Sequence, residues 1–124
     1  MEGTLATLST FPITIEAHRA YLQSHLEKAF DPGCAVRCML HFHLEALGYP
    51  ENEVYSPASV AIILDGEDLP SLDIPEPFIT YQRRCIEAAC QKAGAPITGR
   101  EALALLDSLC PSAQQAAQEQ EQSA

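Results

Sequence analysis

The chain has 124 residues, 47% of them hydrophobic, with 7 basic against 17 acidic side chains and a net charge of −10. That length is enough for one domain to bury a core without disulfides or metal, and no apolar run approaches the roughly 20 residues that span a bilayer. So few cations leave nowhere to build the basic patch that nucleic acid or an anionic membrane requires, which leaves basic or apolar protein surfaces, metal ions and small molecules as expected partners.

The N-terminal MEGTLATLST carries an acid and no Lys or Arg, a poor secretory signal. Five cysteines, an odd number with no CxxC pair, read as reduced thiols. Both features point to a cytoplasmic protein. The first dozen residues alternate in polarity and are expected to form a short strand or a docking arm.

Thr14 is placed to cap a helix over 15–30, whose inner face carries Ile15, Leu22, Leu26 and Phe30. His18 and His25 stand about two turns apart at the margin of that face, with Tyr21 alongside. Asp31-Pro32-Gly33 is a turn, because Pro presets φ and Gly tolerates positive φ. A second helix is predicted over 34–47, stopped by Gly48 and Pro50.

The second helix holds the densest reactive stretch of the chain, GCAVRCMLHFHLEALG. At about 100° per residue, Cys34, Cys38, His41 and Glu45 fall on one stripe, each within reach of the next. Thiolate, imidazole and carboxylate are ligands that zinc prefers, and His41 three residues after Cys38 suggests an activated thiol. The competing reading is an ordinary outward-facing stripe. His43 falls on the opposite, apolar side. Cys85, Cys90 and Cys110 read as core fillers.

Residues 51–77 gather acids and contain no basic side chain, and the prolines at 57, 70, 75 and 77 forbid long regular structure. The run SVAIIL at 59–64 fits a short buried strand or a short helix, and a helix is preferred because no partner strand is obvious. Leu69, Leu72, Asp73, Ile74 and Phe78 are the candidate partner-binding residues, apolar side chains set among acids that would steer a basic surface towards them. A third helix is predicted over 77–93. The Thr98-Gly-Arg-Glu101 capping box then opens a fourth, to 109.

The fold class expected is mostly α: a single-domain bundle of about four helices over 1–110, with a Pro-rich acidic central connection, at most a short N-terminal or central strand, and a flexible Gln/Ala/Glu-rich tail at 111–124. No phosphate-binding loop, GxSxG or HExxH is present. The function expected is a small acidic protein–protein interaction protein without catalytic activity or cofactor: an adaptor, assembly factor or complex subunit, open to homo-oligomerisation. The alternative is a zinc-binding or thiol-redox protein using Cys34, Cys38, His41 and Glu45.

Overall fold

The computed structural model describes residues 10–111. Residues 1–9 of the alternating N-terminal arm and all but the first residue of the C-terminal tail lie outside the described residues, and 10–12 are not in a strand. Within them the mostly helical bundle gives way to a mixed α/β fold of four helices and six short strands, in the order α1 (Ile15–Gln23), β1 (Ala29–Phe30), α2 (Met39–Ala46), β2 (Asn52–Ser56), β3 (Ser59–Leu64), β4 (Glu67–Asp68), β5 (Leu72–Asp73), α3 (Phe78–Gln91), β6 (Ile97–Thr98) and α4 (Gly99–Leu109). No helix among the described residues is long and apolar enough to cross a membrane.

The acidic middle of the chain is a sheet, not a connection. β2 and β3 form an antiparallel hairpin in the register Asn52↔Ile62 and Glu53↔Ala61. SVAIIL is therefore a strand, and the partner that was not obvious is NEVYS. Its period-two pattern turns Asn52 and Val54 inward and Glu53 and Tyr55 outward. On the other side of β3, β4 pairs with its end (Ile63↔Asp68) and β5 with its beginning (Val60↔Leu72). These two pieces run the same way along β3 and act as one strand broken at Pro70. The four prolines all fall between strands or before α3, where no ladder N–H is lost. Asp65 (φ 54°) and Gly66 (φ 81°) make the tight β3–β4 turn with positive φ at both positions.

The first two helices are shorter than their local pattern predicts. Thr14 caps α1, its hydroxyl accepting from the Ala17 amide at 3.1 Å. The chain leaves the helix after Gln23, however, and the carbonyls of Leu26 and Lys28 receive the amides of Arg100 and Gly99. β1 then pairs with β6. Residues 34–38 are likewise held out of α2: the Asp31 amide donates to the Arg37 carbonyl at 3.0 Å, and the Val54 amide donates to the Ala35 carbonyl at 3.0 Å. The start of the predicted second helix is thus spent on the edge of β2. The third and fourth helices lie close to their predicted bounds, and Thr98 and Glu101 form the reciprocal capping box.

The inner face of the sheet joins the helices in one core. Val60, Ile62, Leu72 and Ile74 pack with Leu22, Leu40, Leu44, Phe78, Tyr81 and Leu106. Arg19, buried on α1, ties α1 to α4 through Asp107 at 2.8 Å and the Cys110 carbonyl, and pairs with Glu16 at 2.6 Å.

Gly99 marks the closest approach in the fold. A Cβ there would stand 2.0 Å from the His25 carbonyl oxygen, a backbone atom with no freedom to move aside. Gly99→Ala is expected to lower stability by about 1–3 kcal/mol, the range for overpacking, read as a lower urea midpoint. Gly33→Ala, where the nearest atom is 3.8 Å away, serves as the control. Equal midpoints for the two variants would refute the close packing.

Candidate functional site

The predicted Cys-His stripe does not survive as a stripe. Cys34 and Cys38 precede α2, Cys38 being its N-cap with an extended backbone (φ −83°, ψ 172°). Cys34 is half-buried, Cys38 and His41 are buried, and Glu45 is exposed. Burial pushes the Cys38 thiol above its ordinary pKa, opposite to the shift an activated nucleophile needs. No three His, Cys, Asp or Glu side chains among the described residues come together as a group able to hold a metal ion, so the zinc alternative has no assembled ligand set there. The proposed partner-binding residues are also redistributed: Leu69, Leu72, Ile74 and Phe78 are buried in the core, and Asp73 alone is exposed. The strand pairing that period-two alternation imposes turns those leucines and the isoleucine inward.

The chemistry-bearing side chains that do meet are others. His18 of α1 lies with its Nδ1 2.8 Å from Nδ1 of His43 on α2, and its Nε2 2.8 Å from the Tyr81 hydroxyl on α3. Tyr21 stacks on His43 with ring centroids 4.6 Å apart, and His25 stacks on Tyr21 at 4.3 Å. At the far end, the buried Cys85 thiol lies near Tyr81 one helical turn along α3. One line of polar rings therefore runs from half-buried His25 through the middle of the molecule to buried Tyr81.

Two proton arrangements satisfy this line with every ring neutral. In one, the Tyr81 hydroxyl donates to His18 Nε2, and His18 Nδ1–H donates to His43. In the other, His43 Nδ1–H donates to His18, His18 Nε2–H donates to Tyr81, and the hydroxyl turns to Cys85. A charged His18 could still donate on both sides, to His43 Nδ1 and to the Tyr81 oxygen, so it is burial and not the bonding pattern that disfavours the proton. Burial and the neighbouring His43 hold His18 well below its ordinary pKa. Burial and His25 bring His43 down to about 4. Burial first, and then the nearby Cys85 and Cys38, pushes the Tyr81 phenol well up. His18 and Tyr81 are closed to solvent, and their contacts with His43 tie three helices together.

A second feature opens to solvent. Beside β2 and β3 lies a groove of about 630 Å³, with Val36, Ala61 and Ile63 among its apolar lining and Glu51, Glu53 and Asp68 among its polar lining. Val36 (46% exposed) and Ile63 (37%) are two of the few large apolar side chains left on the surface. Among the described residues the lining includes three carboxylates and no lysine or arginine. His41 and Asn52 also line it. His41 Nδ1 sits 2.9 Å from the Asn52 side-chain oxygen and 3.1 Å from the Asn52 carbonyl, while the Asn52 amide nitrogen donates to the Tyr49 carbonyl at 2.7 Å. A smaller hollow of about 390 Å³ includes Phe11, Leu72 and Asp73.

Sequence reasoning singled out His41 for the wrong face and set His43 on the apolar side, where it is. It missed Asn52 and Tyr81. The alternation N-x-V at 52–54 was the available signal for Asn52, and nothing local marks Tyr81. Comparison with protein families, characterised proteins and solved structures finds no match, so geometry alone carries the functional argument.

The two imidazoles give stability a definite pH dependence. Both sit below the ordinary value of 6.5 in the folded chain, so as pH falls from 6.5 towards about 4 the unfolded chain takes up protons that the folded one refuses. Their contribution is complete above pH 6.5 and is lost through that window, by up to about 3 kcal/mol for His43 alone. Urea unfolding at pH 7 and pH 5 should show the fall, and His43→Gln should flatten it. An unchanged slope in His43→Gln would mean that other groups carry the acid sensitivity.

Proposed function

We propose that this chain is a protein-interaction module whose acidic-rimmed groove beside β2 and β3 takes a basic, partly apolar segment of a partner protein. The observation that carries the reading is the combination in one groove of exposed Val36 and Ile63 with Glu51, Glu53 and Asp68 and, among the described residues, no lysine or arginine. Apolar surface supplies affinity that charge alone does not, while the carboxylates steer a basic partner and select its orientation. The net charge of −10 extends the same field beyond the groove.

This reading replaces the buried leucines at 69 and 72 with the outward side chains of the same sheet. The partner in this reading is a different protein, because two acidic grooves set face to face repel each other and the net charge of −10 opposes self-association.

The test is a titration of isotope-labelled protein with the peptide Ac-Leu-Arg-Leu-NH2, following the methyl signals of Val36, Ala61 and Ile63. Saturable shifts confined to these methyls, weakening as salt is raised and lost in Ile63→Glu, are expected. Methyls that stay still at all peptide concentrations would remove the groove as a basic-segment site, and shifts spread evenly over the acidic surface would do the same.

A further inference from the structure

His41 has a property that the rest of the groove lining lacks. Both atoms that meet its Nδ1 are oxygens, the Asn52 carbonyl at 3.1 Å and the Asn52 side-chain oxygen at 2.9 Å. The Asn52 amide is fixed the right way round, because its nitrogen donates to the Tyr49 carbonyl at 2.7 Å and to the His41 carbonyl at 3.3 Å. Nδ1 therefore carries the hydrogen, and in the neutral ring Nε2 is left with its lone pair. No donor among the described residues meets Nε2. Yet the residue is only 7% exposed and lines the groove. A buried, oriented acceptor without a partner is rare in a folded chain and needs an explanation.

We infer that His41 is the anchor of the groove, and that its Nε2 accepts an N–H from an arginine guanidinium of the partner. This inference rests on the reading of the groove given above. Three features select the ligand chemistry. Nε2 calls for a hydrogen-bond donor. Glu51, Glu53 and Asp68 call for a positive charge. Val36, Ala61 and Ile63 call for an apolar stem between the charge and its backbone. A guanidinium meets all three, since its planar fork can give one N–H to the imidazole and others to carboxylates at once. A lysine ammonium is a compact, strongly hydrated charge that cannot span both kinds of acceptor in one plane. Asn52 is a positioning residue: it holds the ring by its Nδ1 edge and so leaves Nε2 without a protein partner among the described residues.

The measurement is the ¹⁵N signal of His41 Nε2 during titration with Ac-Leu-Arg-Leu-NH2, with Ac-Leu-Lys-Leu-NH2 and the citrulline analogue as comparisons. The arginine peptide is expected to move Nε2 from the position of a free lone pair towards that of a hydrogen-bonded one, together with the Ile63 methyl. The lysine and citrulline peptides should bind several-fold more weakly, and His41→Phe should cost the arginine peptide roughly tenfold. If the methyls shift while Nε2 does not, the anchor is overturned and the groove reading stands. Equal affinity for the lysine peptide overturns the guanidinium assignment. If neither methyls nor Nε2 respond, the groove reading falls and the anchor with it. Because the nitrogen is read in the unmodified protein, a His41→Phe variant that fails to fold leaves the test intact.

Discussion

Three helices of this protein meet through one shared constraint: the polar atoms of His18, His43 and Tyr81 must satisfy one another, because water does not reach them. His18 lies on α1, His43 on α2 and Tyr81 on α3, and the contacts are 2.8 Å on both sides of the His18 ring. Removing any one member leaves a buried donor or acceptor unpaired, a penalty of about 1–3 kcal/mol. Apolar packing around Phe78 and Leu44 brings the helices together, and this line, with the Arg19–Asp107 and His41–Asn52 contacts, gives them directional ties. The cost is acid sensitivity, since imidazoles held neutral by burial resist the proton that the unfolded chain accepts.

With the helices fixed in this way, α2 presents opposite edges to two different purposes. His43 turns into the core and His41 turns to the sheet, where Asn52 of β2 grips it. The same Asn52 lies at the start of the hairpin whose outer side chains line the groove. Core, sheet and groove are thus coupled through the short helix Met39–Ala46, and the groove is shaped by strands whose inner residues have no freedom to shift register.

How much of this was legible depended on how local the determining forces are. The later helices could be read because their signals sit within a few residues: Thr98 and Glu101 satisfy each other's amides, and Gly94 and Pro96 close α3. The sheet could not, because NEVYS mixes Asn52, Glu53 and Ser56 with no strong β-former except Val54 and Tyr55, and six apolar residues alone suit either structure. The late start of α2 was beyond local reading. It depends on the Val54 amide reaching the Ala35 carbonyl, a tertiary bond that overrides the helix propensity of residues 34–38. With it went the geometry of the Cys-His stripe. His41 was marked as chemically notable, but helix periodicity turned it outward, and only the strand beyond it shows which nitrogen is held and which is free.

The most direct measurement is a long-range ¹H–¹⁵N correlation spectrum of the histidine side chains in the free protein at neutral pH. The expected result is neutral rings at His18 and His43 sharing one slowly exchanging proton between their Nδ1 atoms, with His41 protonated at Nδ1 and bare at Nε2. A charged ring at His18 or His43 would contradict the neutral core that joins the helices, and a His41 carrying its hydrogen on Nε2 would contradict the acceptor offered to the groove.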